Sequence, residues 1–371
     1  MNDRTGGTDL LLSPLDELTV PDLRSAIAER ATTTYAVVRP RSGRPARPLI
    51  AAAIVVLVGA AAFAAGRSTG GRDDVVVREP QRRVENRSWR VAGTVEVPWL
   101  STAGAAIVAP TGRWAWVSST GATTVAFLDG QGRPTVAAEI AVPPVVDLAA
   151  LGRTEAVVLS DDGVVRRLHA DGQTGEIARV DAATVAGRRI ASRAGIVWVT
   201  APDGRLLRID AFGTQTTLTL PLRAERLVAT ERDLWVVDAT NSRVTAIDAD
   251  GVPIGEITTL GAIAEVAPAE RGIYAYDPVA ARLIAISGAA APVEVAPIAA
   301  SDDIASTRGT VWTIRGSVLQ GYDSSGTLTA NLVPVTADDQ TSFIRSTIAG
   351  SPDRLWVAAP RRGQLALIGP G

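Results

Sequence analysis

The C-terminal part of the chain alternates short apolar segments with polar turns. In each unit an aromatic residue, or valine in one unit, opens an apolar segment, a turn rich in Asp, Gly, Asn or Ser follows, and a second apolar segment ends at Asp or Gly. Two examples are WVTAPDGRLLRIDAFG at 198–213 and WVVDATNSRVTAIDADG at 235–251. Apolar segments of this length separated by such turn residues predict β-hairpins.

The hairpin recurs seven times at a nearly constant interval. Successive anchor positions are 41, 41, 37, 39, 38 and 44 residues apart. A strand of small residues precedes the anchors, and a fourth strand follows the hairpin, as in TQTTLTL at 214–220. Four short strands about every 40 residues are the period of a β-propeller blade, so the chain is predicted to be all-β with seven blades. The anchors are Trp116, Val157, Trp198, Trp235, Tyr274, Trp312 and Trp356.

The two ends of the repeat array predict how the ring of blades closes. After Trp356 the chain supplies one further strand, at 364–369, and lacks a fourth. The segment at 88–97 is a spare strand before the first repeat. We therefore expect the N-terminal strand to complete the last blade, which removes an open sheet edge. The recurring aromatic is expected to pack between blades as core.

An uncharged apolar segment at 49–66 predicts a single transmembrane helix. Its 18 residues would span roughly 27 Å, close to the thickness of the bilayer hydrocarbon. Arginines crowd its N-terminal side, which predicts a cytoplasmic N-terminus and a propeller outside the cell membrane. The flanking charges are Arg39, Arg41, Arg44 and Arg47 before the segment and Arg67, Arg72, Asp73 and Asp74 after it.

Two other interpretations of this segment remain open. A cleaved signal peptide would need an n-region of 48 residues, and a buried core helix would not usually be bracketed by prolines and arginines. Residues 1–48 form a cytoplasmic tail with one short helical signal at 21–31, either a docking helix for a cytoplasmic partner or part of a disordered tail. Residues 67–87 are predicted to be a linker, and 88–371 the propeller.

Composition excludes several kinds of chemistry. The 371 residues include no cysteine and one histidine, so disulfides, thiolate metal sites and sites with two imidazoles are absent. All 37 basic residues are arginine, and the net charge of −2 argues against a nucleic-acid partner.

DADG at 248–251 lacks the other ligands of a calcium loop. The acid pairs Asp302–Asp303 and Asp338–Asp339 are predicted to be solvated loop acids, and we predict no cofactor and no metal.

The repeats, of the form (L/V)W(V)…(R)(V/L)xxID…G, resemble those of bacterial seven-bladed propellers of the streptogramin-lyase and NHL-like type, over about 88–371. Streptogramin lyases use histidine and acid chemistry with a magnesium ion. Here the only histidine, His169, occupies the place that Asp210, Asp248 and Asp323 hold in sister repeats. That place is the end of a strand at a turn, which predicts a turn role.

One candidate site comes from aligning the repeats. The residue before the first apolar side chain of each inner strand is charged in five of seven repeats, and these positions should surround one mouth of the central channel. Together with Trp99 and Phe343, these ring positions are predicted to form a ligand-binding surface. On it, Arg189 and Arg226 are expected to bind a carboxylate or phosphate. The alternative is a self-neutralising ring of salt bridges. The ring positions are Ala106, Asp147, Arg189, Arg226, Glu265, Asp303 and Thr347.

These observations favour a binding, scaffold or sensor module for a protein, a peptide or a cell-envelope component. One alternative is an extracytoplasmic lyase or hydrolase that uses Asp147, Glu265 or Asp303. Another is a transmembrane receptor whose 21–31 helix docks a cytoplasmic regulator. Without a catalytic motif, the sequence favours binding over both.

Overall fold

The computed structural model of the protein describes residues 88–102, 104–288, 290–334 and 346–371. These residues form seven four-stranded antiparallel sheets. The innermost strands of neighbouring sheets contact each other all the way round, so the sheets are blades of one closed seven-bladed β-propeller. The fold predicted from the 40-residue period is therefore confirmed.

Each blade is a meander that runs from the central channel outwards, and the strands are numbered here in chain order. Three short 3₁₀ helices lie at Pro98–Thr102, Ala182–Thr184 and Pro360–Arg362. Blade 1 comprises β2 (Ala106–Thr111), β3 (Trp114–Ser119), β4 (Thr124–Asp129) and β5 (Thr135–Ala141); blade 2, β6 (Val145–Ala150), β7 (Glu155–Ser160), β8 (Val164–His169) and β9 (Thr174–Arg179); blade 3, β10 (Ile190–Arg193), β11 (Ile196–Thr200), β12 (Leu206–Ile209) and β13 (Gln215–Leu218); blade 4, β14 (Arg226–Ala229), β15 (Leu234–Asp238), β16 (Arg243–Ile247) and β17 (Pro253–Thr259); blade 5, β18 (Glu265–Ala269), β19 (Gly272–Asp277), β20 (Arg282–Ile286) and β21 (Val293–Pro297); blade 6, β22 (Asp303–Thr307), β23 (Thr310–Arg315), β24 (Val318–Asp323) and β25 (Leu328–Leu332); and blade 7, β26 (Thr347–Ser351), β27 (Arg354–Ala359), β28 (Gln364–Pro370) and β1 (Trp89–Glu96).

The last blade is closed by the N-terminal strand, as the sequence predicts. Strand β1 pairs antiparallel with β28, from Trp89 opposite Pro370 to Glu96 opposite Gln364. The backbone N–H of Val97 continues this contact by donating to the carbonyl of Gly363 at 2.6 Å. Both termini of the described propeller are thereby held in one sheet, and blade 7 has the same four strands as the others.

The anchor residues form the core between blades. Each of the seven hydrophobic clusters joins the anchor of one blade to the facing side of the next blade. Trp356 of blade 7, for example, packs against Val117 and Leu128 of blade 1, which closes the ring. Six anchors are fully buried and Tyr274 is partly buried. The predicted packing role of the anchors is confirmed.

The meander gives the propeller two distinct faces. Inner strands begin on one face, which also carries the hairpins between the second and third strands, and we call it the mouth face. The opposite face carries the turns between the first and second strands and between the third and fourth. Small residues let inner strands approach closely, and a Cβ added at Gly350 would lie 1.7 Å from the carbonyl oxygen of Ser306.

The predicted membrane segment 49–66, the tail with its short helix at 21–31, and the linker 67–87 lie outside the described residues. Among the residues that the structure describes, no helix has the length and apolar character needed to cross a membrane.

Candidate functional site

The charged positions predicted from the repeats do lie together at the start of the inner strands, with one correction. Each pairs with the residue two positions after its anchor, as Arg226 pairs with Val237 and Glu265 with Tyr276. In blade 1 the residue in this register is Ile107, opposite Ser118, and the predicted Ala106 is one place too early. The predicted position in blade 1 is one residue too early because the apolar side chains of β2 already begin before Ile107, which is equivalent to the charged residues of the other blades.

Two acids of this ring connect adjacent blades through the backbone. The carboxylate of Asp147 accepts from its neighbour, the N–H of Leu148, at 3.0 Å and from the N–H of Ile190 in blade 3 at 2.9 Å. Asp303 repeats the arrangement, accepting from Ile304 at 2.8 Å and from Ile348 in blade 7 at 2.9 Å. Each of these acids therefore uses both oxygens to join its own inner strand to the next one.

The remaining ring positions also form contacts between neighbouring blades. Arg226 donates from one guanidinium nitrogen to Glu265 at 2.9 Å and to the carbonyl of Ala264 at 2.5 Å, both in blade 5. Thr347 donates its hydroxyl to Asp303 at 2.5 Å. The side chain of Arg189 is exposed and donates no hydrogen bond within the described part of the chain. The ring is thus largely a set of inter-blade pairs, with Arg189 as its accessible cation.

Burial strongly raises the pKa values of Asp147 and Asp303, the two acids that join adjacent blades. Burial raises the pKa of Asp147 from 3.8 to about 6, although the positive charge of Arg189 and the two amide hydrogen bonds act in the lowering direction. Burial likewise raises the pKa of Asp303 from 3.8 to about 7, with its hydrogen bonds opposing and the negative charge of Glu265 adding to the rise. Asp303 is therefore a half-buried strand residue that is hydrogen-bonded within the chain, which corrects the expectation of a solvated loop acid.

Of the two aromatic residues assigned to this surface, the structure describes only Trp99, and its contacts lie towards the outer part of blade 1. The indole Nε1 of Trp99 donates to Glu139 at 3.0 Å. Glu139 lies on the outermost strand of blade 1, three strand spacings or roughly 14 Å from the innermost one. Trp99 also packs on the cluster between blades 7 and 1, towards the outer edge of the mouth face. Phe343 and the acid pair Asp338–Asp339 lie outside the described residues.

The only histidine has the predicted turn position. The N–H of His169 donates to the carbonyl of Gln173, as the N–H of Asp210 does to Thr214 in the next blade. Its Nδ1 lies 3.2 Å from Glu155 on the neighbouring strand. Asp248 caps an equivalent turn through the amides of residues 250 and 252, which confirms that DADG is a turn. No group of three or more potential metal-ligating side chains occurs in the described residues.

A groove on the mouth face was missed by the sequence analysis. It has a volume of about 210 Å³ and lies between the blade 3 hairpin at 203–205 and the connection at 219–223 to blade 4. Three arginines line it, Arg205, Arg223 and Arg243. A partial signal was present, because arginine begins the third strand in blades 4 and 5 and directly precedes it in blade 3, each time after an Asp of the same hairpin. Nothing in the repeat pattern singled out Arg223.

Comparison with known proteins places the chain by its fold. No protein-family model and no curated protein matches the sequence. A streptogramin B lyase structure matches at 15% identity and a TM-score of 0.59, over 76% of this chain and 98% of that chain. The catalytically inactive H-to-A variant of virginiamycin B lyase from Staphylococcus aureus, with quinupristin, matches at 13% identity and a TM-score of 0.59, over 76% and 99%.

A propeller from a third protein is similar to the same extent. The Pan2 WD40 domain of Neurospora crassa matches at 14% identity and a TM-score of 0.56, covering 77% of this chain and 96% of that one. At these identities the likeness establishes the seven-bladed propeller and does not carry an activity with it.

Proposed function

We propose that this chain is a membrane-anchored binding module whose mouth face recognises a protein, a peptide or a cell-envelope component. The binding role is supported by Arg189, because its guanidinium is accessible whereas its charged neighbours are already paired. A planar cation with unused donors is suited to a carboxylate or phosphate presented by a partner.

The same geometry favours binding over acid–base catalysis. A general acid or base must reach the reacting group with the oxygen that carries the proton. In Asp147 and Asp303 both oxygens accept backbone amides, and each acid joins two blades. A substrate would have to break these contacts to use them, so we assign the two acids to the architecture of the channel mouth.

The proposed recognition predicts a partner whose capture depends on Arg189. In crosslinking from intact cells, we expect Arg189→Ala to lower capture at least tenfold while the thermal unfolding midpoint stays close to that of the wild type. Arg226 is left unchanged because its loss would break the contact with Glu265. Arg232→Ala is the matched control, since Arg232 is an exposed arginine in a turn of the opposite face. If the Arg189→Ala and Arg232→Ala variants capture the partner equally well, Arg189 is not part of the proposed binding surface.

The proposed anchor, 49–66, predicts opposite accessibility of the two ends of the chain. Since the chain contains no cysteine, single Ser13→Cys and Ser324→Cys variants can be labelled without background. Ser324 is exposed in a turn of blade 6. In intact cells a membrane-impermeant maleimide should label Ser324→Cys and spare Ser13→Cys until the cells are lysed. Labelling of Ser13→Cys before lysis, or protection of Ser324→Cys, would contradict the proposed topology.

A further inference from the structure

The arginine groove between blades 3 and 4 carries more donors than its own acids accept. Arg205 donates its Nε to Asp203, and Arg243 donates to Asp238 at 2.8 Å. The side chain of Arg223 is 55% exposed, and its Nε lies 4.0 Å from Glu225. Each guanidinium has five N–H donors, so Arg205 and Arg223 keep donors that no acid of the groove accepts, whereas Arg243 also donates to the carbonyl of Pro221 at 3.5 Å.

The neighbouring acids Asp238 and Glu225 are already hydrogen-bonded to other groups of the chain. Asp238 is fully buried and takes hydrogen bonds from Arg223 N, from Asn241 and from Arg243. The two oxygens of Glu225 accept the N–H and hydroxyl of Thr240, at 2.9 and 2.7 Å. The acids balance the formal charge of the arginines, and each oxygen of Asp238 and Glu225 already accepts at least one hydrogen bond from the surrounding chain.

A glycine allows the side chain of Arg223 to pack against the hairpin that carries Arg205. Gly204 has a φ of +82°, in the left-handed region that favours glycine. A Cβ at this position would lie 2.9 Å from Cγ and 3.2 Å from Nε of Arg223. The side chain of Arg223 therefore lies directly across the hairpin that carries Arg205, and this arrangement requires the absence of a side chain at residue 204.

We infer that this groove binds a carboxylate side chain of an acidic peptide segment in a partner protein. The inference rests on the proposed binding function and names the chemistry of the partner. The side chains of Arg205 and Arg223 line the same groove, and a guanidinium fork matches a carboxylate in bidentate geometry. The groove is also lined by Leu220, Pro221 and Leu222, which offer apolar surface to the residues that flank the acid. The nearby carboxylates of Asp203 and Glu225 oppose a phosphate dianion more than a carboxylate.

A peptide-binding measurement on the full-length protein in detergent tests this inference. The probe is a fluorescein-labelled hexapeptide of alternating Glu and Leu, and the matched peptide has Gln in place of Glu. By fluorescence anisotropy we expect the Glu peptide to bind at least tenfold tighter than the Gln peptide. Arg205→Gln/Arg223→Gln should abolish that difference, whereas the control Arg232→Gln/Arg271→Gln, with both arginines exposed on the opposite face, should retain it.

Three results would overturn the inference: equal binding of both peptides, an unchanged preference in the Arg205→Gln/Arg223→Gln variant, or tighter binding of inorganic phosphate than of the Glu peptide. If any of these results is obtained while crosslinking still depends on Arg189, the groove is not the binding site for an acidic peptide, but the proposed binding function is unaffected. Loss of both the peptide preference and the Arg189-dependent capture would overturn the proposed function as well.

Discussion

Replacing Trp356 by alanine is expected to destabilise the propeller by about 3 to 5 kcal/mol, as truncation of a fully buried aromatic does. Trp356 is 0% exposed and fills the interface at which blade 7 meets blade 1. Its Nε1 has no hydrogen bond among the described residues, so the loss arises from packing and from the cavity left behind. Because this interface closes the ring, the cavity would weaken the contact that holds the first and last repeats together.

Chemical denaturation of the full-length protein in detergent, followed by far-ultraviolet circular dichroism, measures this effect. Trp114→Ala is the matched control, since Trp114 is only partly buried and has Arg113 stacked 4.4 Å from its ring. It should cost about 1 kcal/mol. Similar losses in both variants would show that the anchor at the closing interface has no special importance for stability.

The stability of the propeller is expected to fall as the pH rises from about 4.5 to 7.5. The pKa values of Asp147 and Asp303 are about 6 and about 7 in the folded protein, against 3.8 for an ordinary Asp. The folded state therefore holds more protons than the unfolded state in this range, and stability decreases with pH. At ~1.4 kcal/mol for each unit of pKa difference, the two acids together account for roughly 7 kcal/mol, of which about 5 kcal/mol is lost between pH 4.5 and 7.5 because both groups titrate only partly within that range.

Other acids act in the opposite direction but in a lower pH range. Hydrogen bonds from Val164 and Arg166 hold the pKa of Asp162 below its usual value, and a serine and two backbone amides do so for Asp323. Their stabilisation is present above pH 4 and is lost as the pH falls further, so the maximum should lie near pH 4 to 5. Urea titrations across pH 4.5 to 7.5 measure the slope, and Asp303→Asn should remove more than half of it, since Asp303 has the larger pKa difference. A flat or rising profile in the wild type would contradict the prediction.

The architecture could be predicted from the sequence because its signals are local and repeated. A buried anchor, a turn and a second apolar strand recur at 40-residue spacing, and each hairpin encodes its own pairing. The strand at 88–97 was recognisable as the missing fourth strand of the last blade. The position of His169 at a turn followed from the same alignment, since His169 stands where its sister repeats have acids.

The site depended on contacts that local patterns do not encode. Asp147 meets Ile190, 43 positions further along the chain, and Arg226 meets Glu265 across the next blade interface. The apolar side chains of β2 begin one residue before the position equivalent to the charged ones, and only the pairing of Ile107 with Ser118 shows that Ile107, and not Ala106, is the equivalent residue. The arginine groove likewise exists because two connections approach each other across Gly204. Such contacts follow from how the blades pack, which the repeat pattern leaves open.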